Sequence, residues 1–310
     1  MVDERAFTAS LARFFGSERD VLVGIGDDAA VVRNRGRAQV LCCDPVVEHV
    51  HFTADTAAVR IGRKAVNRNL ADLAAMGAEA DWLLVSLLLP RRFPAARRTG
   101  LLRGIRAAAA AAGARVVGGD VATTAGPLVV TVTAVGHLRG RALLRSGARA
   151  GDTLHTSGAL GGSLAGHHLD FEPPLAIGRW LATQRPVHAA MDVSDGLLLD
   201  LATMLRHSGG LGAELDAEAI PITRAAVRRA RGNAERALWA ALGDGEDHVL
   251  LWSQAAGRQL ARGGPLAASA RRPIGRVLAK PGLWLRQGAQ RIRLPELGYR
   301  HELDRAAPAR

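Results

Sequence analysis

Acidic residues stand at the ends of apolar runs along this sequence, next to glycine, alanine and valine. They occur in Gly26-Asp27-Asp28-Ala29-Ala30, at Asp44 and Asp72, and in Gly118-Gly119-Asp120, Asp192-Val193-Ser194-Asp195-Gly196 and Gly245-Glu246-Asp247. Because an unpaired carboxylate is costly to bury, a cation is expected to compensate for these charges. Magnesium is commonly held by a few carboxylates together with substrate phosphates. The pattern therefore predicts a magnesium-nucleotide enzyme.

Length and composition narrow the class of protein. The 310 residues favour two α/β domains, and 48% hydrophobic with 23% charged residues is typical of globular chains. No run is long and apolar enough to cross a bilayer, and the N-terminus lacks the pattern of a secretory signal. Cys42 and Cys43 would point to opposite faces of a strand and are expected to be reduced. We expect a cytoplasmic protein without membrane partners.

The formal net charge of +12 raises the question of nucleic-acid binding. All but Lys64 and Lys280 of the 41 basic residues are arginines, and they are scattered along the chain. The chain has one tyrosine, six phenylalanines and no recognisable nucleic-acid module. This favours a solvated arginine-rich surface, and nucleic acid is not an expected partner.

Hydrophobic periodicity predicts helices over about 3–15, 57–76, 94–112, 175–183 and 197–207. Strands are predicted near 21–25, 29–32, 39–43, 82–89, 115–117, 127–138, 153–156, 212–215 and 248–252. In the second helix, Asn69 and Asp72 lie one turn apart and point the same way. Gly77 is suited to ending that helix.

The segment 139–152 is the best candidate for a linker, because glycines and arginines replace the apolar periodicity there. We therefore predict an N-terminal domain over 1–138 and a C-terminal domain over 153–310. The first would supply Asp27, Asp44, Asp72 and Asp120, and the second Asp192, Asp195 and Glu246. A site in the cleft between them follows.

The chain contains neither a P-loop nor a dinucleotide-binding glycine motif. What it does contain resembles the thiamine-monophosphate kinase family, within the superfamily that includes aminoimidazole ribonucleotide synthase. The resemblance covers nearly the whole chain. It rests on Gly26-Asp27-Asp28-Ala29, Asp44 to Phe52, Lys64 to Ala78, Gly118-Gly119-Asp120, Arg145-Ser146-Gly147, Asp192 to Leu197 and Gly245-Glu246-Asp247, in the family's order.

The resemblance implies an α/β protein with a two-domain aminoimidazole ribonucleotide synthase-like fold, mixed sheets flanked by helices and the active site in the interdomain cleft. It further implies a homodimer formed through the N-terminal domains. The implied reaction is direct in-line transfer of the γ-phosphoryl of ATP to thiamine monophosphate, with several Mg²⁺ ions. Because the acceptor phosphate is already ionised near neutral pH, no general base is assigned.

The resemblance also implies roles for individual residues. The metal ligands would be Asp27, Asp44, Asp72, Asp120, Asp192 and Asp195, with further contacts at Cys42 and Cys43. ATP would contact Gly119, Asp120, Arg145 and Ser194. The thiamine moiety would be held by His51, Glu246 and Tyr299, with Glu246 offsetting the thiazolium charge and Tyr299 stacking on it. Simpler interpretations are a turn at Asp27 and Asp28, a helix cap at Asp195 and a solvated charge at Arg145.

Several positions depart from the family pattern. Serine or threonine is usual at Cys42, Cys43 and Pro45, serine at Ala71, threonine at Val121, glycine at Asp244 and Tyr-Glu at His248-Val249. Since a thiol is a poor magnesium ligand, a metal contact at the cysteines must come through backbone carbonyls or be lost. Our hypothesis is that phosphoryl transfer is retained while acceptor affinity or metal preference is altered.

Three alternatives stay open from the sequence. One is another ATP-dependent enzyme of the superfamily, although the hydrogenase maturation protein needs a C-terminal cysteine and this chain ends in Ala309-Arg310. Selenophosphate synthetase usually carries a reactive Cys or selenocysteine with a nearby lysine close to its start, and no such pair precedes Gly26. The others are a non-catalytic protein that binds nucleotide or thiamine phosphate, and a basic nucleic-acid binder. The full set of aspartates favours the enzyme over a pure binder.

Overall fold

Two β-sheets with packed helices organise the chain. The computed structural model describes residues 21–23, 27–34 and 37–300. The strands are β1 (Val21–Val23), β2 (Ala30–Asn34), β3 (Arg37–Val47), β4 (Glu79–Pro90), β5 (Arg115–Thr124), β6 (Val129–His137), β7 (Thr153–Thr156), β8 (Val187–Val193), β9 (Gly212–Asp216), β10 (Val249–Gln254), β11 (Gly275–Leu278), β12 (Gly282–Gln287) and β13 (Gln290–Leu294). The α-helices are α1 (Ala58–Ala75), α2 (Ala95–Ala111), α3 (His167–Asp170), α4 (Leu175–Thr183), α5 (Leu197–His207), α6 (Arg224–Arg229) and α7 (Ala234–Gly243).

Both sheets are mixed. The first has the order β1-β2-β3-β6-β4-β5, with only β4 and β5 parallel. The second has the order β13-β12-β9-β11-β7-β10-β8, with only β9 and β12 parallel. The predicted fold class, α/β with mixed sheets flanked by helices, is confirmed.

Helix α1 packs against elements of both halves of the chain. It contacts β3 and β6 of the first sheet, and it also contacts α3, α4 and β8 of the second half. At its C-terminal end the helix meets α4 so closely that a Cβ on Gly178 would lie 1.9 Å from the carbonyl oxygen of Ala74. One hydrophobic core accordingly runs from α1 to Leu250 and Trp252 on β10. The division into domains at 139–152 stays a prediction.

The predicted elements agree best where apolar periodicity is strong. Helix α1 begins and ends within one residue of the prediction, and α4 and α5 match it fully. Strand β8 was not predicted, because its residues are almost all buried and show no apolar/polar alternation. Helices α3, α6 and α7 and strands β11 to β13 were also missed. The predicted helix over 3–15 lies outside the described residues.

One face of the first sheet, which we call the outer face, points away from α1. It carries Trp82, Leu84 and Leu88 of β4, each more than a third exposed, while Leu83, Val85 and Leu87 point inward. Neighbouring β5 is exposed along nearly its whole length. Across the described residues, none of the helices combines the length and apolar character needed to span a membrane.

Candidate functional site

Three carboxylates from separate elements meet where the two halves of the chain face each other. Asp28 lies just before β2, Asp72 on α1 and Asp192 near the end of β8. One oxygen from each lies within 4.8 Å of the others. We call these three residues the acid cluster. Its oxygen-only donor set fits a hard divalent cation such as Mg²⁺.

Two of the three carboxylates of the acid cluster have raised pKa values, whereas Arg145 outweighs burial and lowers the pKa of Asp28. Burial, with Asp44, Asp192 and Asp28 nearby, raises the pKa of Asp72 well above its usual range. Burial also raises the pKa of Asp192 to about 6, although a hydrogen bond from His248 opposes that shift. A bound cation would favour the ionised form of both groups. The cluster therefore has the chemistry of a metal site.

The structure brings Asp28, rather than its neighbour Asp27, into the acid cluster. Arg145 holds Asp28 with two bonds, Nε to Oδ2 at 2.8 Å and Nη2 to Oδ1 at 2.9 Å. The carboxylate of Asp27 instead accepts from the backbone N–H groups of Asp28 and Arg145, and burial raises its pKa to about 7. A sequence pattern of two adjacent aspartates does not reveal which one points into the site. Metal ligation by Asp27 and ATP binding by Arg145 stay predictions.

Asp44 lies beside the cluster because Asn69 fixes the backbone of β3. The N–H of Asp44 donates to Oδ1 of Asn69 at 2.9 Å, and Asn69 is fully buried on the face of α1 that also carries Asp72. Arg68 donates from Nε to Oδ2 of Asp44 at 2.9 Å. The predicted common face of Asn69 and Asp72 thus explains how α1 positions the strand.

Neither cysteine presents its thiol to the acid cluster as a thiolate. Cys42 is buried and donates from Sγ to the carbonyl of Asn69 at 3.3 Å, and burial raises its pKa well above the ordinary value. The Cys43 side chain is exposed and accepts from Thr133 Oγ1 at 3.2 Å. Adjacent strand residues point to opposite faces, so both thiols cannot face one site. A backbone contact to metal at these positions stays a prediction.

Asp200, which sequence reasoning missed, orders the loop that carries Ser194 and Asp195. Its Oδ2 accepts from the backbone N–H groups of Ser194, Asp195 and Gly196 at 3.0–3.1 Å. It is buried, and burial raises its pKa well above the usual range. The only signal in the sequence is an aspartate inside the leucine run that begins α5.

A cavity beside the acid cluster collects the three residues expected to hold thiamine. His51, Glu246 and Tyr299 all line it, together with Ser194 and Asp195. These residues come from segments nearly 250 positions apart in the chain. The arrangement supports the predicted acceptor site, while the role of each residue stays a prediction.

Glu246 is surrounded by cationic groups. Lys64, which is fully buried, places Nζ 2.8 Å from Oε2, and Arg68 places Nη1 3.9 Å from Oε1. Burial opposes ionisation of Glu246, but His248 and Lys64 outweigh it and hold its pKa well below the usual range. Lys64 also donates to the carbonyl of His51 at 2.8 Å. Lys64 belongs to the segment from Lys64 to Ala78 that carries the family resemblance, but the sequence alone indicated no role for it.

His248 joins the acid cluster to the acceptor cavity. Its Nδ1 lies 3.4 Å from Oδ2 of Asp192 and its Nε2 lies 3.3 Å from Oε2 of Glu246, while its ring stacks on Phe171 at 4.2 Å. Both Glu246 and His248 have positive φ, at 65° and 50°, which is unusual for residues with side chains. The sequence showed His248 as a departure from the family but gave no structural role.

Gly119 and Asp120 lie away from the acid cluster. Gly119 is three strands from Asp44 through Val132 and Val85, a distance of about 14 Å at ordinary strand spacing. Asp120 is in register with Ser86 and is exposed on the outer face. The position of Asp120 within one chain does not explain its predicted contacts with metal and ATP. These contacts stay predictions.

Comparisons with known proteins show which proteins this chain resembles in sequence. Residues 26–138 match the family model for AIR synthase related protein, N-terminal domain. The thiamine-monophosphate kinase of Rhodopirellula baltica is 37% identical over 98% of this chain and 99% of its own length. That of Mycobacterium tuberculosis is 37% identical over 87% of this chain and 83% of its own.

Solved structures show the same fold. A structure of AaThiL complexed with AMPPCP and TMP aligns with a TM-score of 0.83 at 24% identity, over 97% of both chains. Thiamine-monophosphate kinase from Stenotrophomonas maltophilia K279a aligns with a TM-score of 0.70 at 32% identity, over 91% of this chain and 95% of its own. The expected α/β fold with mixed sheets flanked by helices is therefore shared with these proteins.

Proposed function

The chain belongs to the thiamine-monophosphate kinase family, and we propose that it transfers the γ-phosphoryl of ATP to thiamine monophosphate, producing thiamine diphosphate. The observation that carries the proposal is the acid cluster directly beside a cavity that contains Glu246. The similar fold of AaThiL, solved with AMPPCP and TMP, supports it. ATP is the co-substrate.

Magnesium would be held by Asp28, Asp72 and Asp192, with Asp44 close by. When bound, it would neutralise phosphate oxygens that would otherwise repel one another and the carboxylates. The raised pKa of Asp72 and the oxygen-only donor set support this assignment.

The protein's own residues would bind and orient the two substrates. Glu246 would face the cationic thiazolium and Tyr299 would stack on it. Arg145, whose Nε and Nη2 are held by Asp28, would carry positive charge beside the phosphate oxygens of ATP, and the loop at Ser194 would contact the nucleotide. In-line transfer needs alignment of two phosphates, and no residue is required to remove a proton from the acceptor.

A homodimer formed through the outer face is part of the proposal. Trp82, Leu84 and Leu88 form an apolar strip there, and a second copy would remove this surface from water. Light scattering on the purified protein should give twice the monomer mass. Replacing Leu84 with Asp should return the mass to that of one chain.

The test is detection of thiamine diphosphate by phosphorus NMR from purified protein, ATP, Mg²⁺ and thiamine monophosphate. Product is expected with the parent chain and none above background with Asp72→Asn. A parent that binds ATP but forms no thiamine diphosphate would show that the acceptor has changed or that catalysis has been lost.

A further inference from the structure

Arg68 on α1 stands between the acid cluster and the acceptor carboxylate. Its Nε bonds Asp44 at 2.9 Å, and its Nη1 lies 3.9 Å from Glu246. Its side chain is one-fifth exposed and lines the cavity that contains His51 and Tyr299. Among the described residues that line the cavity, Arg68 is the only arginine or lysine.

Most of the hydrogen-bonding capacity of this guanidinium is unused in the described part of the chain. An arginine has five N–H donors. The only hydrogen bond that Arg68 donates to a described residue comes from Nε, and the separation of Nη1 from Glu246 is too long for a hydrogen bond. The donors on both terminal nitrogens therefore remain for a ligand.

Both carboxylates that hold Arg68 have another cation to bind in the proposed reaction. Asp44 lies beside the metal site, and Glu246 would face the thiazolium. Binding of the thiazolium at Glu246 would leave the terminal nitrogens of Arg68 for the phosphate, while Nε keeps its bond to Asp44. The acceptor joins a cationic thiazolium to a phosphate. When the thiazolium faces Glu246, the phosphate lies among several carboxylates that repel it.

We propose that Arg68 binds the phosphate of the acceptor and so selects the phosphorylated substrate over its unphosphorylated form. This inference rests on the proposed function and adds a residue to the same site. A guanidinium offers two parallel N–H donors that match two phosphate oxygens, which an ammonium does not. The Nε bond to Asp44 would fix the plane of the fork while the terminal nitrogens face the cavity.

The experiment measures equilibrium binding of thiamine monophosphate and of thiamine by calorimetry, without ATP and with the metal removed by EDTA. In the parent chain, the phosphorylated compound is expected to bind at least tenfold more tightly. Arg68→Met should weaken binding of thiamine monophosphate at least tenfold and leave binding of thiamine unchanged or stronger. Arg68→Lys should recover part of the preference, since it restores charge without the fork.

Arg63→Met is the matched control, because Arg63 lies on the same helix and pairs only with exposed Asp170 among described residues. It should leave both dissociation constants within twofold. Equal weakening of both compounds by Arg68→Met, or an unchanged ratio, would overturn the inference and leave the proposed function standing. A parent chain that binds neither compound and forms no thiamine diphosphate overturns both.

Discussion

Two carboxylates of the acid cluster, Asp72 and Asp192, and the neighbouring carboxylate of Glu246 are largely buried but have opposite pKa shifts. In the cluster, burial and like charges raise the pKa values of Asp72 and Asp192. At Glu246, His248 and Lys64 lower the pKa despite burial. A cation from solution would favour the ionised form of Asp72 and Asp192, whereas Asp28 already pairs with Arg145 and Glu246 with Lys64. The contrast distinguishes a metal site from a site where the carboxylate is already ionised and can bind a cationic ligand.

The largest expected effect comes from removing charge at the acid cluster. Asp72→Asn should lower kcat on the order of a thousandfold, because ligation of the metal and neutralisation of the phosphates are lost together. In EDTA the same variant should unfold at an equal or higher temperature than the parent, since it relieves repulsion among buried acids. Steady-state kinetics and thermal unfolding check both parts.

The control is Asp216→Asn, at the end of β9 where the carboxylate pairs with Arg286. Its kcat should stay within twofold of the parent. If Asp72→Asn lowered the unfolding temperature of the metal-free protein and lost activity because it unfolded, the acid cluster would be structural. The contrast with Glu246 would then disappear.

Glu246→Gln should act on the acceptor and leave the nucleotide unaffected. The KM for thiamine monophosphate should rise about 10- to 100-fold, with KM for ATP unchanged, because only the thiazolium loses its counter-charge. Stability should fall by about 1–3 kcal/mol, since buried Lys64 loses its ionised partner. Kinetics in each substrate and urea unfolding measure these effects, with exposed Glu218→Gln as control. Equal increases in both KM values would contradict the assignment.

Stability of the metal-free protein should fall as the pH rises from 5 to 8. Folding raises the pKa of Asp192 to about 6 and of Asp27 to about 7, from an ordinary 3.8. Their stabilising contribution is complete below pH 3.8 and is lost as the pH rises through those values, a change of roughly 1–3 kcal/mol. His248, whose pKa is also raised, contributes in the same direction, whereas Glu246 stays ionised throughout.

Magnesium should reduce that decline, because it binds the ionised carboxylates of the folded state. Urea unfolding at pH 5, 6.5 and 8, in EDTA and in Mg²⁺, gives the comparison. A decline of the same size in both buffers would mean that the titrating groups do not bind the ion.

The smallest effects are expected at the cysteines. Cys43→Thr should change the Mg²⁺ concentration for half-maximal activity less than twofold, because its side chain is exposed and bonded to Thr133. Cys42→Ser should cost about 1 kcal/mol through poorer packing beside Asn69. A marked gain in magnesium activation by either change would support the hypothesis that the cysteines alter metal preference.

Sequence patterns predicted the parts of this molecule that local periodicity determines. Helix α1 and the common face of Asn69 and Asp72 follow from a 3.6-residue repeat, and the order of motifs identified the fold class. The alanine- and arginine-rich segment that forms α6 has only six residues and lacks a clear apolar repeat, and the alanine-rich α7 was missed although its apolar residues share one face. Fully buried β8 has no alternation to detect.

The sequence predicted which acidic residues belong to the site, but it did not predict the residues with which they pair. The contacts of Glu246 with Lys64 and of His248 with Asp192 join residues separated by 182 and 56 positions in the chain. No local pattern records such pairs, because packing of α1 against the second half of the chain creates the first and pairing of β8 with β10 creates the second. Asp44 and Glu246, the partners of Arg68, are also distant from it in the chain. The sequence therefore showed Arg68 only as one of many scattered arginines.

The packing of α1 against both halves has a consequence for how the chain is made. Synthesis from the N-terminus completes the first sheet and α1 well before α4, β8 and β10 leave the ribosome. Until then, the face of α1 that receives Gly178 stays open to water and to other nascent chains. A fragment ending at residue 152 should therefore aggregate or require chaperones, and folding to the native state must wait for the second sheet.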